Sequence, residues 1–300
     1  MASPQMEGLK ALMKQMMAGD GMPRFTGDFD PIKLRAVIEE SQARMPLLQG
    51  VSIQSLALGG IEAEKCIPEQ IESKAVVCYI HGGGLICGNA RTSRGYGCVL
   101  ATECKCPVYT LSYRLAPENP FPAAVEDCIN AYKGIVDLHP DQPIFLTGES
   151  GGAHLTLTTV IQAKKAGMRL PAGVILNSPV ADMSGLIDHS KYDSADFTVS
   201  DRGLKELANL YAPGRDLTNE LISPVYASYE GFPPMLLTWD ESETLAPDSE
   251  AVANKARTAG VYVECVSYPD CFHAFATTGR GTPESSEILD RTLEFIRKFS

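Results

Sequence analysis

No run of apolar residues in this chain approaches the roughly 18 that a membrane-spanning helix needs. Positive charge is also short: 26 lysines and arginines stand against 37 aspartates and glutamates, a net charge of -11. That balance argues against nucleic acid or an anionic membrane as the main partner, and reads as a surface that keeps the protein in solution. The N-terminus lacks a charged stretch followed by an apolar one, so no signal peptide is expected and a cytoplasmic location is the default. Internal repeats and low-complexity tracts are missing too. The nine cysteines include no Cys-x-x-Cys pair, and Cys104-Lys105-Cys106 has no histidine cluster beside it, so no metal site is expected. Cys78 falls in a strand-like run and Cys128 in a helix-like one, as free buried thiols do in a reducing compartment.

What is present is core-forming material. The 300 residues are 44% hydrophobic and 21% charged, enough for one large α/β core with insertions. Leu9, Leu12, Met13, Met16 and Met17 share one face of an N-terminal helix ending near Gly19-Asp20-Gly21. Plain packing is the preferred reading of that stripe, with a pocket wall as the alternative. A second helix is expected from Pro31 to Arg44, with Asp30 as its N-cap. Val51 to Leu58 and Ile61 to Ile67, split by Gly59-Gly60, read as an edge hairpin.

From Ala75 to Ile80 onward, strands and helices alternate. Strands are expected at 106–112, 144–147, 173–177, 235–239 and 261–267, and helices at 121–138, 151–166, 248–259 and 283–299. Short β-α-β connections imply a mostly parallel sheet with helices on both faces. The polar stretch from Asp182 to Glu220, with a short amphipathic piece at Leu204, Leu207 and Leu210, is long enough to be a lid or cap.

Chemistry gathers at the ends of these strands. Gly148-Glu149-Ser150-Gly151-Gly152 lies between an apolar run and a helix, the setting of a nucleophile elbow. Gly148 and Gly152 suit the tight turn, and the Gly151 N–H at a helix N-terminus can stabilise an oxyanion. His81-Gly82-Gly83-Gly84 ends an earlier strand, where Gly83 and Gly84 can aim unscreened N–H groups at the same oxyanion. A serine nucleophile needs a base and a carboxylate to orient it. His273, after the 261–267 strand, suits the base best, since His81 belongs to the glycine loop, His139 and His189 lie in polar stretches, and His154 packs in the elbow helix. For the acid, Asp240, Glu241, Glu243 and Asp248 compete; Glu243 is preferred, Asp240 is second, and Asp248 reads as a helix N-cap. Cys271, two residues before the base, offers a route by which thiol oxidation alters activity.

These motifs together resemble the hormone-sensitive-lipase-like branch of the α/β-hydrolase family. The likeness runs from about Val76 to His273. It includes His-Gly-Gly-Gly at 81–84, Tyr113-Arg114-Leu115-Ala116-Pro117-Glu118, Phe121-Pro122-Ala123-Ala124, Gly-Glu-Ser-Gly-Gly at 148–152, Pro233-Pro234-Met235-Leu236 and His273-Ala274-Phe275. The resemblance implies an α/β-hydrolase core over 46–184 and 220–300, with a helical cap from 1–45 and 185–219. It also implies hydrolysis of short- to medium-chain acyl esters by Ser150, His273 and Glu243 without a cofactor, and a homodimer through the last strand. Deacetylase or amidase action on the same residues, and a non-catalytic small-molecule receptor, are the alternatives. Four positions depart from the family's usual residues: Glu149 stands for Asp, Gly151 for Ala, Glu243 for Asp, and Asp270 for a common glycine.

Overall fold

The computed structural model describes residues 1–18, 25, 30–43 and 48–300. The expected helix end at Gly19-Asp20-Gly21, residue Arg44 and the 45/46 domain boundary lie outside the described residues. The continuous apolar runs become the middle of one sheet. Every residue of β3 (Val76–Ile80), β4 (Val108–Leu111), β6 (Gly173–Asn177) and β7 (Met235–Asp240) is buried, as is all of β5 (Ile144–Glu149) except its last residue. The edges are β1 (Val51–Leu58), hairpinned to β2 (Ile61–Pro68), and the half-buried β8 (Val263–Tyr268). The eight strands run in the order β1-β2-β4-β3-β5-β6-β7-β8. β1, β2 and β4 pair antiparallel in turn, and every pairing from β4 to β8 is parallel.

Alternate strand residues feed two cores, because successive side chains of a strand point to opposite faces. Cys78, Leu146, Val174, Leu176 and Leu237 pack with α4 (Ala123–Leu138), α5 (Gly151–Lys165) and α7 (Ala246–Thr258). Val77, Phe145, Ile175 and Leu236 pack with α3 (Ala90–Cys104) and α8 (Pro283–Phe299). Helices therefore cover both faces, as the strand–helix alternation implies. All nine cysteines are free thiols, and Cys78 and Cys128 are buried as expected. Helix α3 has no counterpart in the sequence reading, because Gly95 and Gly97 break its periodicity. Gly97 is required by packing, since a Cβ there would meet the Thr110 methyl at 2.8 Å.

The N-terminal helices are α1 (Pro4–Ala18) and α2 (Pro31–Ala43). Asp30 caps α2, its Oδ1 accepting from Ile32 and Lys33 N–H at 3.0 and 3.3 Å. Arg35 of α2 clasps the core through the Ile86 and Ala116 carbonyls and both oxygens of Glu118, the pairs at 2.5 to 2.7 Å. The 182–220 segment carries α6 (Asp201–Tyr211), whose Leu204 and Leu207 are buried.

Asp248 is not the N-cap that its position suggests. Helix α7 starts two residues earlier, with Leu245 as N-cap, so the Asp248 carboxylate turns inward. Its Oδ2 accepts from Ala181 and Asp182 N–H at 2.6 and 2.9 Å, and its Oδ1 meets His189 Nε2 at 2.6 Å. The insertion is thus tied to α7 through a buried ion pair. Burial alone lowers the His189 pKa, but the Asp248 bond and the nearby Asp182 and Asp201 charges outweigh it and leave the pKa raised.

Two outcomes follow for stability. Leu146→Ala, at a fully buried site in β5, is expected to cost about 2–5 kcal/mol in urea unfolding. Asp248→Asn should cost roughly 3 kcal/mol at pH 6. A raised folded-state pKa gives stability that is complete below about pH 6.5 and fades as pH climbs through the raised value. The gap between variant and parent therefore narrows toward pH 9, and a gap that is constant with pH would refute the charged pair.

Candidate active site

The end of β5 and the start of α5 meet in one residue, Ser150, whose backbone takes φ 54° and ψ -122°. A non-glycine residue in that region is strained and must be held there. The Ser150 N–H donates to the Asn177 carbonyl at the end of β6, at 2.9 Å. Neighbouring chain leaves no room for larger residues on either side. A Cβ at Gly148 would lie 2.5 Å from the Gly152 carbonyl carbon, and one at Gly152 would drive into the Ile80 carbonyl oxygen.

His81-Gly82-Gly83-Gly84 leaves β3 beside this turn, with Gly83 and Gly84 at φ 96° and 61°. Positive φ at both explains the glycines. The loop abuts Gly151: a Cβ on Gly151 would sit 3.3 Å from the Gly84 nitrogen and 3.1 Å from that of Leu85. Internal bonds stiffen it, the Gly83 carbonyl accepting from the Ile86 and Cys87 N–H groups at 3.2 and 3.1 Å. Tyr113 stacks on the His81 ring at 4.3 Å and donates its hydroxyl to the His81 carbonyl at 2.8 Å. Glu149 supplies a further brace, its Oε1 accepting the Gly82 N–H at 2.6 Å. Burial pushes the Glu149 carboxyl up to about 7, with the Gly82 bond opposing. In the sequence Glu149 stands out only as a departure from Asp; no local pattern could pair it with a glycine 67 residues away.

Past the ends of β7 and β8, Glu243 and His273 meet: Nδ1 of His273 lies 2.8 Å from Glu243 Oε2. Burial lowers the His273 pKa, yet the Glu243 bond and charge outweigh it, so the imidazole titrates above its ordinary value. Burial also lifts the Glu243 carboxyl, with the His273 bond and charge opposing. Asp240 does a different job. Its Oδ1 accepts from the Ser242 and Cys271 N–H groups, both at 3.2 Å, bracing the acid loop against the histidine loop. Asp270 sits at φ 63°, which explains a common glycine there, and aspartate is among the residues that tolerate this conformation. Cys271 is only 2% exposed and burial raises its thiol pKa, which counts against ready oxidation. Sequence reasoning missed Asp196 in the insertion, whose Oδ2 accepts the Thr244 N–H at 2.9 Å and so pins the residue after Glu243.

Ser150, His273, Gly83, Gly84 and Glu149 line one cavity of about 260 Å³, and Gly151, next to Ser150 in the chain, is buried. Most of its remaining wall is apolar, including Met13, Met17, Leu34 and Ile38 of α1 and α2 and Leu204 and Leu207 of α6, with Thr198 and Thr277 among the polar exceptions. The methionine stripe therefore splits: Met13 and Met17 face the cavity, while Leu12 and Met16 are 52% and 47% exposed. The pocket-wall reading is the better one for two of its members. Other histidines stand elsewhere. His154 is buried edge-on to Tyr211, His139 pairs with Tyr109, and His189 holds Asp248. No helix among the described residues is long and apolar enough to cross a membrane.

Comparison with known proteins agrees with this fold. Residues 77–277 match a family described as having the alpha/beta hydrolase fold. An acetyl-hydrolase of Streptomyces hygroscopicus is 28% identical over 299 residues, covering 99% of this chain and 97% of its own length. An esterase of Acinetobacter venetianus is 28% identical over 273 residues, covering 88% of each. Among solved structures, an esterase from the bacterial hormone-sensitive lipase family superposes with a TM-score of 0.90 at 30% identity, over 100% of this chain and 99% of that one. A hormone-sensitive lipase from a metagenome library gives 0.89 at 32% identity over 98% of each. The chain belongs to the alpha/beta hydrolase family, in its hormone-sensitive-lipase-like branch of serine ester hydrolases.

Proposed function

We propose that this enzyme hydrolyses short- to medium-chain carboxylic esters with Ser150 as nucleophile, His273 as base and Glu243 as orienting acid. The observation that carries the reading is a strained serine and a carboxylate-bound imidazole on one cavity, next to glycine amides at positive φ. His273 Nδ1–H donates to Glu243, leaving Nε2 to take the Ser150 hydroxyl proton as Oγ attacks the ester carbonyl. Gly83, Gly84 and Gly151 N–H groups bind the oxyanion. The tetrahedral adduct collapses, and the alkoxy oxygen leaves with the proton from Nε2. Water then attacks the acyl-enzyme, giving its proton to Nε2, and Ser150 recovers a proton as the acid departs. No metal or cofactor enters this scheme. The cap is the 1–45 segment together with 185–219, whose apolar side chains suit small ester substrates, and a homodimer would form through the open edge of β8.

Ser150→Ala is expected to lower kcat on p-nitrophenyl acetate by roughly a millionfold without unfolding the protein; near-parental turnover would remove Ser150 from the mechanism. Catalysis needs neutral His273, and its pKa is raised, so kcat/KM should fall as pH drops through a value above about 6.5. Glu243→Gln should cut kcat by about 10⁴-fold. It should also move that acid limb downward, because the charge that favoured imidazolium is gone. An unshifted limb would point to a different orienting group.

A further inference from the structure

Glu149 precedes the nucleophile in the chain, yet its side chain turns back to the glycine loop, where Oε1 accepts the Gly82 N–H at 2.6 Å. The contact is close. A Cβ on Gly82 would lie 2.9 Å from the Glu149 carbonyl oxygen and 3.0 Å from Oε1, so any larger residue there would displace the carboxylate. Gly82 is joined directly to Gly83, and the planar peptide between them carries the Gly83 N–H. Holding Gly82 therefore restrains the direction in which that amide points. The other bonds of 81–84 pair groups that stay neutral. Tyr113 gives its hydroxyl to the His81 carbonyl, and Ile86 and Cys87 give their N–H groups to the Gly83 carbonyl.

The Glu149 bond differs because its acceptor ionises in the working range. Burial lifts the carboxyl to about 7, while the Gly82 N–H, the Tyr79 hydroxyl and the His273 charge favour the anion. Of the groups facing it, only His273 titrates nearby. Burial raises the phenols of Tyr79 on β3, Tyr96 on α3 and Tyr113 beyond β4, and lowers His81 to about 4, so all four stay uncharged. A carboxylate accepts an N–H about twice as strongly as a neutral carboxyl does. Protonation of Glu149 thus slackens the grip on Gly82.

We propose that Glu149 is a positioning residue: its carboxylate, acting through Gly82, holds the glycine loop where the oxyanion develops, and its charge is part of that hold. The proposal rests on the nucleophile and the glycine amides assigned above and adds a second ionisable group to their setting. Glu149 also favours the charged form of His273, so a test has to separate the hold on the loop from the effect on the base.

The measurement is kcat/KM for p-nitrophenyl acetate from about pH 5.5 to about pH 9, read at the p-nitrophenol isosbestic wavelength. Glu149→Gln keeps the size of the side chain and removes its charge. At about pH 9, where His273 is neutral in parent and variant alike, Glu149→Gln should be about fivefold slower, the worth of the charge in one hydrogen bond. As pH falls the parent's own Glu149 takes up a proton, and the ratio of parent to variant should shrink to one or below. A ratio constant with pH would mean that packing alone matters. A ratio of one at about pH 9 that drops at lower pH would mean that Glu149 only tunes His273. Either result overturns the proposal. Tyr79→Phe supplies an independent reading, since it leaves the carboxylate in place and removes a hydroxyl that favours the anion. Its acid limb should move to higher pH, and a profile parallel to the parent's would also overturn the charge-dependent hold. All three adverse results leave Ser150 as nucleophile, because the parent still turns over. A parent protein without esterase activity would instead sink that assignment, and the proposal with it.

Discussion

The left-handed backbone of Ser150 is the constraint on which the site depends. Holding a serine at φ 54° costs about 1–3 kcal/mol, so the surroundings must over-determine it. They do so from three sides. β5 is a central strand, bonded to β3 and β6, and cannot shift without breaking two ladders. The Ser150 N–H is held by β6, and the first turn of α5 presses against Ile80 and His81 at the end of β3. The glycines flanking the serine are the consequence of that crowding. The same crowding brings the glycine loop up against Gly151, so the positions of Ser150 and of the glycine loop share one origin.

The insertion does more than cover the site. Its Asp196 accepts the Thr244 N–H, and its Val199 carbonyl accepts the Thr244 hydroxyl at 3.0 Å, so the loop carrying Glu243 is fastened from the side of the insertion. At its start, His189 and the backbone at 181–182 converge on Asp248 in α7. α2 is clasped separately through Arg35. The insertion and the loop carrying Glu243 are therefore mechanically joined: a large movement of the insertion also disturbs the carboxylate bonded to His273. Buried ion pairs of this sort contribute little net stability, since desolvation offsets most of the attraction, and serve better as specific attachments.

Much of this was legible in the chain, and the reasons are local. Strands buried on both faces write themselves as apolar runs, and a tight strand–serine–helix turn needs glycines at fixed offsets, so β3, β5 and the elbow could be read directly. That His273 and Glu243 lie past the ends of β8 and β7 could be read from strand order. The rest was hidden by contacts without local signature. Helix α3 was masked by Gly97, which answers to the Thr110 methyl rather than to helix propensity. Asp248 looked like a cap because a carboxylate beside a helix start usually is one; its true partners lie 59 to 67 residues away. Glu149 carried no sign of its bond to Gly82, and Met13 and Met17 could not be separated from Met16 by periodicity alone.

The choice between Asp240 and Glu243 shows how side-chain length and backbone position divide labour in such a loop. Asp240 ends β7 and is fixed by the sheet, and its short carboxylate is spent on Ser242 and the Cys271 N–H. That bond sets the height of the histidine loop. Glu243 follows in the turn closed by its own N–H on the Asp240 carbonyl at 3.2 Å, and stands farther from the sheet. From there the extra methylene of glutamate lets Oε2 reach Nδ1 of His273. Were the two carboxylates exchanged in length, the first would overrun the Cys271 amide and the second would fall short of the imidazole. The glutamate is thus compatible with a turn that is braced at both ends, by Asp240 before it and by Asp196 from the insertion.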